Sequence, residues 1–184
     1  MNNLESFFTL TDKVLSKYIN HTFIETGTYL GDSVDLALRL GFSKVISIEL
    51  MEELQEKNRE KFGSFIDSGR LDLITGDTSL VFNGIVENLT ERATFWLDAH
   101  QDLGIQGLKK CPLYDELESI GRSNIKNHTI IIDDMRCLDG RMHWSSGIEL
   151  KGVVDRIRKI NANYMIVFEP SPFGAQDILV AYIN

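Results

Sequence analysis

The sequence predicts an α/β fold: a seven-stranded, mostly parallel sheet between two layers of helices, with the last strand running antiparallel. Three observations carry this. From Thr22 onward, short apolar β-type runs alternate with helix-length stretches, five strands each followed by a helix. Such alternation implies a parallel sheet covered on both faces. The chain then finishes with two strands, Tyr164–Glu169 and Asp177–Ile183, separated by a turn carrying Pro170, Pro172 and Gly174. Strands joined without a helix form a hairpin, so the final one must oppose the others. Third, the first strand passes into a glycine-punctuated turn and then a helix, the βα opening of such a sheet.

Taken in order, residues 4–19 carry Leu4, Phe7, Phe8, Leu10, Val14, Leu15, Tyr18 and Ile19, a spacing nearer to about 3.6 than to 2. This predicts an N-terminal amphipathic helical segment over 1–20, with a break near Thr9–Asp12 where Thr11 would cap a second piece. Strand 22–26 leads to helix 33–40, capped by Asp32 or Ser33. Strand 44–48 leads to helix 51–62, and strand 71–75 to helix 79–89. Strand 93–97 is followed by a loop and helix 112–121, and strand 128–132 by a longer loop and helix 148–160. At 184 residues, with no repeat, low-complexity tract or linker, the chain reads as a single domain over 1–184, its α/β core at 21–184.

The turn after the first strand is Glu25-Thr26-Gly27-Thr28-Tyr29-Leu30-Gly31-Asp32-Ser33. Glycines permit a tight turn and close backbone approach, and a helix N-terminus behind them offers unpaired N–H groups to a nucleotide-like ligand. The same spacing also suits an ordinary βα turn. Glu49 ends the next strand, 22 residues beyond Gly27, where this kind of sheet holds a ribose diol. Capping of helix 51–62 is an alternative or additional role for it. Together the two features point to a nucleoside-containing cofactor.

The ends of strands four and five are rich in acids. Strand four reads into Asp98-Ala99-His100 and strand five into Asp133-Asp134. If the strands are neighbours, three carboxylates meet at the carboxyl edge of an apolar sheet, which is unfavourable unless a cation lies between them or one is protonated. A hard divalent ion such as Mg²⁺ resolves it; the bland alternative has Asp133 and Asp134 capping the next segment and Asp98 bonding a loop. His100 would stand beside the metal with a near-neutral pKa, suited to a general base, or else serve as a structural hydrogen-bonder. Gly76-Asp77, ending strand three, would face the adenine side of the cofactor while Asp77 caps the following helix.

Acidic residues number 27 against 19 basic ones, a net charge of −8, which argues against a nucleic-acid or anionic-membrane surface. No apolar run approaches a membrane span, and the N-terminus lacks a signal-peptide pattern, so a cytoplasmic location is expected. Cys111 and Cys137 are expected as free thiols.

Glu25-x-Gly27-x-x-x-Gly31, Glu49, Gly76-Asp77, Asp98 and Asp133-Asp134 together resemble the class I S-adenosylmethionine-dependent methyltransferases, most nearly the metal-dependent O-methyltransferases of the macrocin type. The resemblance covers about residues 20–184. It implies a Rossmann-like three-layer sandwich with strand order 3-2-1-4-5-7-6. It also implies S-adenosyl-L-methionine held by Glu25, Gly27, Thr28, Gly31, Ser33, Glu49, Gly76, Asp77 and Asp98, and Mg²⁺ held by Asp98, Asp133 and Asp134. His100 takes the place of the base, and the reaction is O-methylation of a small hydroxylated molecule such as a sugar or polyketide-like compound. The chain is close to the bare core of such enzymes. Acceptor-site walls are therefore expected from the loops 99–111 and 134–147, from the N-terminal segment or from a second subunit of a homo-oligomer, with Tyr29, Met142, Trp144 and Phe173 as candidates. Two other readings keep parts of this site: a metal-dependent hydrolase built on Asp98, Asp133 and Asp134, and a non-catalytic S-adenosylmethionine-binding protein.

Overall fold

The structure, a computed structural model, describes residues 8–100 and 111–184. One seven-stranded sheet runs in the order β3-β2-β1-β4-β5-β7-β6, as expected. Its strands are β1 (Thr22–Thr26), β2 (Lys44–Glu49), β3 (Leu71–Thr75), β4 (Ala93–Leu97), β5 (Thr129–Ile132), β6 (Met165–Ser171) and β7 (Gly174–Tyr182). β1 pairs in parallel with β2 and β4, and β4 with β5, whereas β7 lies antiparallel between β5 and β6. The strand interiors are nearly continuous apolar runs because both faces are covered. Alternation splits them. Ile24, Phe95, Ile130, Ile132 and Leu179 face one core with α4 (Thr78–Glu87), α5 (Leu113–Arg122) and α6 (Leu150–Ile160). Phe23, Trp96, Ile131 and Val180 face the other with α1 (Asp12–Leu15), α2 (Asp32–Leu40) and α3 (Glu52–Asp67).

Several boundaries differ from expectation. Within the described part of the N-terminal segment only Asp12–Leu15 is helical; the expected positions Leu4 and Phe7 lie outside the described residues. Leu10, Val14 and Leu15 are buried against the sheet, so the apolar spacing reflects docking of a short turn rather than a long helix. Thr11 occupies the N-cap position without a side-chain bond. α2 begins at Asp32 behind Gly31, which takes the cap position at φ 75° with no side-chain cap; the expected cap Ser33 instead turns its hydroxyl to Glu25. α3 continues beyond 62 through a kink at Phe62 (φ −112°, ψ 18°). β6 tolerates Pro170 because it is an edge strand, with an irregularity between Glu169 and Ser171. Cys111 and Cys137 are both free. Among the described residues no helix is long and apolar enough to cross a membrane.

The register is what positions the site. Thr26 is opposite Leu97, and Leu97 opposite Ile132. The residues that follow, Gly27, Asp98 and Asp133, therefore emerge side by side where the chain order reverses between β1 and β4, the crevice in which open α/β sheets bind ligands.

Candidate functional site

A cleft of about 670 Å³ opens at this edge, within the usual range for small-molecule sites. Of the residues named from sequence, Gly27, Thr28, Ser33, Glu49, Asp77, Asp98, His100, Asp133 and Asp134 line it. Glu25, Gly31 and Gly76 do not; each works one layer behind.

At one end the β1–α2 turn is held by its own packing. A Cβ on Gly27 (φ 88°) would lie 2.7 Å from the Asp98 carbonyl oxygen, and one on Gly31 would lie 2.5 Å from Asn58 Oδ1 and 2.7 Å from the Phe62 ring. Both glycines thus serve close packing of the turn against β4 and α3. Between them Tyr29 takes φ 46°, rare for a non-glycine residue. Its N–H donates to Glu49 Oε2 at 2.8 Å and its carbonyl accepts Asn58 Nδ2 at 2.9 Å. Glu49 Oε1 accepts the Met51 N–H at 2.9 Å. Glu49 therefore does anchor the start of α3, and it faces the cleft as well. Glu25, fully buried, accepts the hydroxyls of Ser33 and Ser47. Burial pushes its carboxyl well above the ordinary range; the Ser47 bond opposes this, and the Asp98 charge adds to it. It reaches the cleft through Ser33 and, by way of Ser47, through Thr28, whose hydroxyl lies 2.6 Å from Ser47 Oγ. Asp77 caps α4, accepting the Ser79 N–H at 2.9 Å, and Gly76 N–H donates to the Glu49 carbonyl at 2.8 Å.

At the other end Asp98, His100 and Asp134 present ligand atoms within 4.8 Å of one another. His100 Nδ1 lies 3.4 Å from Asp98 Oδ1 and Nε2 lies 3.5 Å from Asp134 Oδ2. Its ring stacks on Trp144 at 3.9 Å and 15°. Burial by itself would lower the imidazole pKa, but the hydrogen bond and charge of Asp98, with the charge of Asp134, outweigh it and raise it above the usual value. Asp134 sits at φ 61°, a conformation held against strain of the kind concentrated at functional sites. Burial and the neighbouring Asp98 push its pKa up.

Asp133 is placed differently from a simple third ligand. Its Oδ1 accepts the Asp134 N–H at 2.7 Å, and its Oδ2 accepts the Thr9 hydroxyl. Among the described residues it groups with Asp134 and Asp177 rather than with Asp98 and His100. Arg136 closes this side, 2.7 Å from Asp134 Oδ1, paired with Asp177 and lying over the Phe173 ring at 4.7 Å. Thr9, Arg136 and Asp177 went unrecognised in the sequence. Only the position of Arg136, two residues after the paired acids, offered any signal. Tyr29, Met142, Trp144 and Phe173 all line the cleft, as does Phe8 of the N-terminal segment. Of the expected wall 99–111, residues 101–110 lie outside the described residues.

No family model matches the chain, and no curated protein matches it. Solved structures do. The O-methyltransferase TomG from Streptomyces achromogenes, involved in tomaymycin synthesis and solved with SAM, matches at 9% identity and TM-score 0.57, over 94% of this chain and 77% of that one. A methyltransferase from Geobacter sulfurreducens matches at 16% identity and TM-score 0.56, over 93% and 75%. A Streptococcus mutans protein solved with SAH matches at 15% identity and TM-score 0.59, over 94% and 95%. At such identities the likeness is one of fold, and the chain shares the Rossmann-like fold of these methyltransferase structures.

Proposed function

We propose that this chain is an S-adenosylmethionine-dependent methyltransferase that methylates a hydroxyl oxygen of a small hydroxylated molecule, such as a sugar or polyketide-like compound, with Mg²⁺ at the acid cluster. The observation that carries the reading is that one cleft joins the Gly27–Ser33 turn and Glu49 to the Asp98–His100–Asp134 group.

The residues fit both groups. Each Glu49 oxygen holds one backbone N–H and keeps acceptor capacity for ribose hydroxyls. Ile48, Leu50, Met51 and Leu54 supply an apolar wall beside it, and Asp77 stands at the adenine side. Asp98 and Asp134 are the hard oxygen donors that Mg²⁺ prefers, with Asp133 behind them. The upward push on Asp133, from burial and then from Asp98 and Asp134, is the strain that a divalent cation relieves. When bound, the cofactor supplies an electrophilic methyl group and the metal supplies Lewis acidity.

The chain's own residues do the rest. Asp98 orients His100 through Nδ1, and Trp144 holds the ring plane. Nε2, 3.5 Å from Asp134 Oδ2, would accept the proton of an acceptor hydroxyl with Asp134 drawn to the cation. Phe8, Met142 and Phe173 line the acceptor end and would position the acceptor there, and positioning of this kind supplies much of the rate.

Calorimetric titration of S-adenosylmethionine into the purified protein tests the cofactor half. Micromolar binding, lost in Glu49→Ala and kept in Asp134→Ala, is the expected result; no binding under any condition refutes it. Methyl transfer to vicinal-diol acceptors with Mg²⁺, abolished by chelator, tests the metal half. Transfer that chelator leaves unchanged refutes the metal.

A further inference from the structure

Beneath the acid cluster lies a second void of about 20 Å³, walled in part by Leu97, Asp98, His100, Glu116, Asp133 and Trp144. It is large enough for one water molecule, and within a mostly apolar lining Asp98, His100, Glu116 and Asp133 are the polar residues that border it. Glu116 enters it from α5. The residue is 2% exposed, yet its Oε1 is buried with no hydrogen-bond partner among the described residues. An orphaned carboxyl oxygen inside a protein is costly, and such groups are normally satisfied by ordered water. The Thr26 side chain lies near the carboxyl and favours its charged form. Thr26 Oγ1, at the end of β1, accepts the Asp98 N–H at 3.3 Å. Glu116 borders the same void as Asp98 and His100.

We propose that this void seats one ordered water held by Glu116 Oε1, and that Glu116, through this water, is the positioning residue that sets Asp98 against His100. Burial pushes the Glu116 carboxyl up to about 8; the Thr26 side chain opposes the shift and the Asp98 charge adds to it. Near neutral pH the group then carries a proton to donate to the water and keeps an oxygen to accept from it. The water site stands by itself. The consequence for ligand binding rests on the reading of Asp98 given above.

The test is a set of high-resolution crystal structures of the wild type, E116Q, E116L and E116M, with Mn²⁺ titration followed by electron paramagnetic resonance. The wild type and E116Q are expected to hold a water within hydrogen-bond distance of the residue 116 side chain. E116L, apolar and without an acceptor, is expected to expel it and to displace the Asp98 carboxylate from His100. Mn²⁺ affinity should fall by about 10-fold, the usual scale for loss of a partner behind a metal ligand. E116M, unbranched and apolar, is expected to expel the water and shift Asp98 in the same way, so the inference stays testable if E116L fails to fold. A dry void in the wild type overturns the water site. Asp98 unmoved in E116L, or in E116M, overturns the positioning role. If Asp98 moves as expected but the wild type binds no Mn²⁺, the Glu116 inference stands and the metal reading falls.

Discussion

His128 makes the stability of this protein depend on pH in a way that can be worked out from its surroundings. It begins β5's approach to the core and is fully buried. Nδ1 accepts the Ala93 N–H at 3.1 Å, Nε2 lies 3.1 Å from Ser123 Oγ, and the ring meets Phe95 edge-on at 5.1 Å. Burial, then the charges of Arg92 and Lys126, lower its pKa from 6.5 to about 4. The unfolded chain therefore takes up a proton as pH falls below about 6.5, whereas the native state does so only near 4. The stability His128 contributes is complete above about 6.5 and is lost as pH falls through this window. At about 1.4 kcal/mol per unit the full loss is roughly 3 kcal/mol, and linkage puts the loss by pH 5 at about 2 kcal/mol. Glu116, Glu25 and Asp133, whose carboxyls are shifted upward, work in the opposite sense, losing stability as pH rises. They are common to the wild type and a His128 variant and cancel in the difference. The assay is urea unfolding of the wild type and His128→Asn, whose carbonyl can take the Ala93 N–H, near pH 7.5 and near pH 5. The variant should be less stable at the higher pH by about 1–2 kcal/mol from lost packing and bonding. That gap should close by about 2 kcal/mol at the lower pH. A gap that does not change with pH, or a His128 ring titration by NMR near 6.5, would refute the reasoning.

Three further outcomes are expected. Asp134→Gly removes a side chain held at φ 61° and should raise stability by about 1 kcal/mol in thermal unfolding while abolishing Mn²⁺ binding; a lower melting temperature would mean that the Arg136 pair outweighs the strain. Gly27→Ala places a Cβ 2.7 Å from the Asp98 carbonyl oxygen at φ 88° and should cost about 2–4 kcal/mol in urea unfolding; a cost below about 1 kcal/mol would show that the turn shifts freely. Glu49→Ala orphans the Tyr29 and Met51 N–H groups, so its loss of S-adenosylmethionine binding should come with about 1–3 kcal/mol of destabilisation. Glu49→Gln separates the two effects, since its single carbonyl oxygen still accepts while the charge is gone.

The strands and the edge that carries the site were legible because each depends on local pattern and short connections, whereas the strand order followed from the family resemblance. Phe23-Ile24, Phe95-Trp96 and Ile130-Ile131 are apolar pairs that a two-sided sheet demands. Once the βα units are placed, register alone brings Asp98 beside Asp133. His100 entered the site for the same reason, two residues beyond a strand end whose direction was already known. The helix ends were less legible. Gly63 follows Phe62 and reads as a stop, yet α3 bends there and continues, because Phe62 is buried against Gly31 rather than exposed at a terminus.

What the amino-acid sequence determined by itself was therefore the layered sheet, the glycine turn, the acid at the end of β2 and the acids at the ends of β4 and β5, all consequences of periodicity and strand direction. Tertiary structure alone decided which groups share protons and charges. Thr9 reaches Asp133 across 124 positions. Arg136 is divided between Asp134 and Asp177, and Glu116 from α5 borders the same void as Asp98 with no partner for Oε1 among the described residues. The physical reason is that the backbone pattern sets where a strand ends, whereas the charge state of a carboxyl depends on burial and on side chains a few ångströms away, which packing of distant segments brings together.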